Sequence, residues 1–213
     1  MKFENLLEAI GDDVVFETGL LLDDAAGAAD IHRQLTRWKN TGRIKQLRRG
    51  LYFVAPPYQK QRPHPFLVAN RLLQPSYVSL QSALAYAGMI PEYVPVTTSL
   101  TTGRTSRWNT PIGAFHFHHT KPERFYGYRL RELGGNQAAL LALPEKALLD
   151  LIHLQPQGDD PDYLDELRLQ NLEQLDLNLL GQFAAREAGP KLQRAVTYIA
   201  ELAQREANDY EIL

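Results

Sequence analysis

Between Ile31 and Val54 the apolar residues change their period. Ile31, Leu35 and Trp38 recur at helical intervals and share one face, while Arg33, Arg37 and Asn40 recur at the same intervals on another. A helix here can bury Trp38 and hold its guanidinium groups outward. Gly42 ends it, and Ile44 to Leu47 and Leu51 to Val54 then read as two short strands around Arg48-Arg49-Gly50, where Gly50 supplies the positive φ of a tight hairpin. Upstream, Phe3, Leu6, Leu7 and Ile10 predict a helix over residues 2–10 that stops at Gly11. Val14 to Phe16 is a short apolar run readable as a strand or as a helix entry. Thr18 to Leu22 predicts a short helix capped by Thr18, and Asp23 to Ala29 a turn, with Asp30 placed to cap the basic helix. Helix, helix, basic helix and hairpin make the inventory of a winged helix-turn-helix.

Downstream the pattern changes character. Ala55-Pro56-Pro57 closes the last strand, because proline cannot donate to a ladder, and residues 58–65 read as a stiff, proline-rich linker. Helices are predicted at Phe66 to Leu73 and Ser76 to Gly88, strands at Val94 to Thr101, Ile112 to His118 and Phe125 to Leu130, and a polar loop at Gly103 to Thr110. Pro144 opens a helix through Leu154, with Leu148, Leu151 and Ile152 as its apolar face, and Pro190 to Glu206 is a long amphipathic helix. The expected fold class is α+β. A winged helix-turn-helix (residues 1–57) and a linker (58–65) precede an α+β domain (66–213) with a small mixed or antiparallel sheet and a helical C-terminal part.

Charge sharpens this picture. The net charge of −2 hides a net of −7 in residues 1–30, +14 in residues 31–131 and −9 in residues 132–213. Ile31 to Val54 alone holds seven Lys or Arg and no acid. A basic middle between acidic ends points to a polyanion, with double-stranded DNA the leading candidate. Arg33, Gln34, Arg37 and Asn40 are placed to read base edges, and Lys39, Arg43, Lys45, Arg48 and Arg49 to pair with phosphates. Arg104, Arg107, Lys121, Arg124 and Arg129 suggest a second basic face, open to RNA or to an acidic partner.

Other chemistry is thin. The chain has no cysteine, which removes disulfides, thiol nucleophiles and Cys-ligated zinc. His116 and His118 would share one face of a strand, but no carboxylate lies near in sequence to complete a metal shell. The acid pairs Asp12-Asp13, Asp23-Asp24 and Asp159-Asp160 sit in turn-like segments that suit caps better than acid–base work. Nucleophile-elbow, P-loop and dinucleotide motifs are missing. No catalytic residue, cofactor or metal is expected. No apolar run approaches the ~20 residues of a membrane span. The first residues mix acids with apolar positions, unlike a secretory signal, so a cytoplasmic protein is expected.

Three stretches carry a family likeness. Arg43 to Pro57, RIKQLRRGLYFVAPP, resembles the wing of the AbiEi-type antitoxins of type IV toxin–antitoxin systems, where a basic helix is followed by G-x-I-x-x-L-x-R-G-L-Y. Pro75 to Glu92, PSYVSLQSALAYAGMIPE, and Ala142 to Leu154, ALPEKALLDLIHL, are similar to the family's later segments, in the family's order. The resemblance covers residues 14–155. It implies a winged helix that represses its own promoter and a C-terminal domain that counteracts a nucleotidyltransferase toxin, with or without touching it. The alternatives are a winged-helix regulator with no antitoxin role and a metal-dependent nuclease centred on His116 and His118.

Overall fold

Phe3, Leu6 and Ile10 line one side of the first helix, α1 (Phe3–Ile10), and all three are buried. The structure, a computed structural model, describes residues 1–21 and 27–211. Gly11 ends α1 at φ +60, a conformation glycine adopts without a Cβ penalty. A two-residue strand, β1 (Phe16–Glu17), leads into a 3-10 turn, Thr18–Leu21. The Asp23-Asp24 pair and most of the turn predicted around it lie outside the described residues. The basic helix is α2 (Ala28–Asn40), followed by β2 (Ile44–Arg48) and β3 (Leu51–Val54). The three strands form an antiparallel sheet in the order β1-β3-β2. Phe3, Leu6, Phe16, Ile31, Leu35 and Trp38 close into one apolar cluster behind it.

Two capping expectations fail. Asp30 lies inside the first turn of α2, where Gly27 is the N-cap, and its carboxylate pairs with Arg33 at 3.7 Å and the N-terminal ammonium at 3.8 Å. Thr18 caps nothing. Its N–H and hydroxyl both donate to the Gly50 carbonyl, at 2.9 and 3.4 Å, and pin the hairpin turn to the sheet.

The larger sheet has six strands in the order β6-β7-β5-β4-β9-β8 and is mixed. Its strands are β4 (Ser76–Val78), β5 (Val96–Thr101), β6 (Ser106–Thr110), β7 (Gly113–His119), β8 (Tyr128–Gly134) and β9 (Gln137–Ala142). The pairs β5–β7 and β4–β9 are parallel and the rest antiparallel. Helices α3 (Pro65–Leu72), α4 (Leu80–Tyr86) and α5 (Pro144–Leu154) pack on it, and α6 (Pro161–Glu166), α7 (Leu177–Glu187) and α8 (Pro190–Glu211) follow. Pro144 stands at the start of α5, where its missing N–H has no partner to lose. The chain is thus α+β, with a small antiparallel sheet, a larger mixed sheet and C-terminal helices.

Several elements differ from their sequence reading. Ser76 to Gly88 is a strand and then a helix, not one helix. Ser76, Tyr77 and Val78 are all buried in mid-sheet, and a strand covered on both faces has no alternation to betray it. Leu80, at φ +58, marks the break. The polar loop at Gly103 to Thr110 contains the edge strand β6, whose half-buried Ser106, Trp108 and Thr110 alternate with exposed Arg107 and Asn109. The third predicted strand lies three residues later, and β9 was hidden by its small, uninterrupted apolar run. In α5 the buried set runs from Glu145 to Ile152 on every side, well beyond the expected face.

Residues 58–65 do not form a free spacer. Tyr58 packs edge-on against Phe3 with ring centres 5.0 Å apart, and Lys60 pairs with Asp12 at 2.9 Å. At the other end the Gln137 amide bridges the segment, accepting from His64 N–H at 2.6 Å and donating to the Arg62 carbonyl at 3.1 Å. Leu47, Leu51 and Phe53 of the N-terminal sheet, with Val15 just before it, also share one apolar core with Val68, Leu72 and Phe117. The two sheets are joined through their interior.

Candidate nucleic-acid interface

Because α2 buries Ile31, Leu35 and Trp38, its remaining turns must face out. Arg33, Arg37, Lys39 and Asn40 are exposed there, as is Lys45 on the next strand. Arg33 is partly engaged by Asp30. Arg37, Lys39 and Lys45 form no ion pair among the described residues. Lys39 Nζ donates to Gln46 Oε1 at 3.3 Å and so couples the helix to β2. Gln34 is turned to the flank, where it and Arg37 line a hollow of about 250 Å³ with Arg43, Lys2 and Glu4. The exposed face therefore offers two kinds of donor: planar guanidinium and amide groups that suit base edges, and ammonium groups that suit phosphates.

Two predicted phosphate contacts are placed differently. Arg43 is half-buried, its guanidinium 5.0 Å from the Phe3 ring centre and 5.8 Å from that of Tyr58. That stacking fixes it as part of the seam between α1 and the 58–65 segment. Arg48 ends β2 instead of sitting at the hairpin tip. It donates to the carbonyls of Arg49 at 3.1 Å and Arg71 at 3.4 Å, and lies 3.9 Å from Glu17. Arg48 is thus a joint between the N-terminal sheet and α3. Only Arg49, exposed beside Gly50, occupies the turn itself.

The second basic face does not assemble. Arg107 lies on β6 and Arg129 on β8, the two opposite edges of the six-stranded sheet. Lys121 and Arg124 flank a 3-10 turn, Pro122–Arg124, after β7. Arg124 pairs with the buried Glu187 at 3.3 Å and touches His153, so it is not available to a partner. Arg104 is exposed before β6. What does come together is Arg107 opposite His116 across the β6–β7 ladder, with His118 two residues on along the same side. Burial, then the charges of His116 and Arg107, hold His118 below the ordinary histidine range. Among the described residues no group of three or more His, Asp or Glu could hold a metal.

The sequence reading missed the most elaborate polar arrangement. Lys146 is completely buried, with Asp150 at 2.5 Å and Glu187 at 3.0 Å. Ser79 and Tyr77 hydroxyls donate to Asp150 at 2.8 and 3.0 Å, and Tyr126 donates to Glu187 at 3.1 Å. Burial pushes the Tyr77 and Tyr126 hydroxyls well above the ordinary tyrosine range, so both stay protonated donors. Lys146 and Asp150 one turn apart in an apolar helix are a visible signal of such a site. Glu187, on α7, is not. The arrangement ties α7 to α5 and the sheet. Among the described residues, no helix is long and apolar enough to cross a membrane. No family model and no curated protein matches the chain.

Proposed function

We propose that this protein is a DNA-binding transcriptional regulator that represses its own promoter through α2. The observation that carries this reading is the outward face of α2, where Arg33, Arg37, Lys39 and Asn40 stand exposed beside Lys45 while the opposite face is buried. The order α1, β1, 3-10 turn, α2, β2, β3, with β1 pairing β3, supports a winged helix-turn-helix whose α2 enters the major groove. Arg33, Arg37 and Asn40 then read base edges, and Lys39, Lys45 and Arg49 contact phosphates.

Titration of the full chain with its own upstream DNA at several salt concentrations tests this. Three neutralised phosphates give a log–log slope of about −3. Absence of binding, or affinity indifferent to salt, overturns it.

The antitoxin role rests on the three stretches similar to AbiEi-type antitoxins. In that reading the chain counteracts a nucleotidyltransferase toxin encoded beside it. Co-expression with the adjacent gene tests it, using the full chain and a variant with Arg33→Ala and Arg37→Ala. Protection by both proteins places antitoxin activity away from α2. Protection by neither leaves a regulator alone.

A further inference from the structure

The edge strand β8 carries Arg129 and Arg131 two residues apart, so strand alternation sends both side chains to the same side of the sheet. Across the β8–β9 ladder Arg129 lies opposite Leu141 and Arg131 opposite Ala139. On that side the sheet faces a cleft of about 580 Å³ lined by Arg129, Arg131, Leu141, Met89, Leu179 and Tyr86. A concave site with converging polar groups is a usual form of small-molecule pocket, and this volume lies within the range of such sites.

The two arginines of the cleft are not held by ion pairs. Among the described residues neither Arg129 nor Arg131 forms an ion pair. The one carboxylate in the lining, Glu145, is almost fully buried and accepts the Asp176 N–H at 2.9 Å, so it is committed to the helix packing. This pattern is the reverse of Arg124 and Lys146, whose charges are each met by a carboxylate. Two exposed guanidinium groups, about 7 Å apart at the backbone, can each offer a planar pair of N–H donors to neighbouring phosphoryl groups. Tyr86 brings an aromatic ring to the same cleft. It is 44% exposed, and Phe66 meets it at an interplanar angle of 60° with centres 5.5 Å apart. The ring is braced and still open to stacking by a flat group.

We propose that the cleft between β8 and α4 binds a nucleoside diphosphate or a close relative, with Arg129 and Arg131 on the phosphates and Tyr86 against the base. The site is separate from α2 and does not depend on whether α2 reads DNA.

Calorimetric titration of the full chain with ADP and with inorganic pyrophosphate tests the assignment. ADP is expected to bind saturably with Kd below about 1 mM, and pyrophosphate more weakly. Arg129→Ala with Arg131→Ala should weaken ADP binding at least about tenfold, since each lost charged hydrogen-bond donor costs about that factor. Arg129→Lys with Arg131→Lys keeps the charge but not the planar fork, and should fall between. Arg33→Ala with Arg37→Ala should bind ADP as the wild type does. Unchanged thermal melts by circular dichroism, expected because both arginines are exposed, separate lost binding from lost fold. No saturable binding of either probe overturns the proposal, as does full ADP affinity in the double alanine variant or loss of ADP binding in the α2 variant. Pyrophosphate binding as tightly as ADP removes the ring-bearing class of ligand. Binding of a hexaglutamate peptide without ADP replaces the nucleotide by an acidic protein segment.

Discussion

Two groups of cations in this molecule lead opposite lives. Around Tyr126, Lys146 and Arg124 are met by Asp150 and Glu187, so positive and negative charges balance inside the protein. On α2, Arg37 and Lys39 face water with no carboxylate partner among the described residues, and Lys45 does the same on β2. A buried charge must be neutralised because desolvation costs several kcal/mol per ion. An exposed one costs little and stays free to act on something else. Pairing, more than residue type, therefore separates the cations that hold this fold from those that can meet a ligand. Arg48 belongs with the first group through Glu17, and Arg43 is held by the Phe3 and Tyr58 rings instead of a carboxylate, although both sit in the basic stretch.

The largest test of that division is Lys146→Ala. It leaves Asp150 and Glu187 buried without their shared cation and should cost about 3–5 kcal/mol by urea denaturation. Lys146→Met, which fills the same space, should cost less. Equal losses would mean that the missing charge and not the lost volume sets the role of Lys146, and a Met variant as stable as the wild type would assign that role to packing.

Gly127→Ala comes next. A Cβ there would lie 2.9 Å from Lys146 Cγ with the backbone at φ +73, so a loss of about 1–3 kcal/mol is expected in the same measurement. Arg37→Ala should leave stability within about 0.5 kcal/mol while weakening DNA binding by about 1–3 kcal/mol at one base position, read by competition among operator variants. The comparison within the hairpin is finer. Arg49→Ala should reduce the salt slope of DNA binding by about 1 and leave the melt unchanged. Arg48→Ala should leave the slope and lower stability by about 1 kcal/mol. The reverse outcome would return Arg48 to the phosphate-binding set.

Acid gives the smallest effect. Burial holds the folded-state pKa of His64, His118 and His153 below the ordinary 6.5. As pH falls through 6.5 the unfolded chain takes up protons that the folded chain still refuses, so stability must drop. A melting temperature that declines from about pH 7.5 to 5.5 is expected, and His118→Gln should flatten part of the decline. A rising melting temperature over that window would contradict the lowered pKa of these imidazoles.

Much of the N-terminal part was legible because its elements are amphipathic. Phe3, Leu6 and Ile10, and Ile31, Leu35 and Trp38, announce two helices through spacing alone. The strands of the larger sheet were harder. Ser76 to Val78 is buried on both faces and joins straight into a helix, and β9 carries small residues with no alternation. Gly50 and the polar Arg48-Arg49 pair gave the hairpin correctly. They could not say that Arg48 would turn back to the Arg71 carbonyl, because that partner lies 23 positions away. The same limit hid Glu187 from Lys146. Local pattern reports which face is apolar. It does not report which distant group will meet a charge.

Leu47, Leu51 and Phe53 look like ordinary hairpin residues, yet they sit in the same core as Val68, Leu72 and Phe117. The bearing of α2 is thereby locked to the six-stranded sheet, as a key is fixed to its handle. If two copies associate through their six-stranded sheets, that fixed bearing and the place of contact together set the separation of their α2 helices. If α2 reads DNA as proposed, the number of base pairs between half-sites would then be written in the body of the protein and not in the side chains of α2.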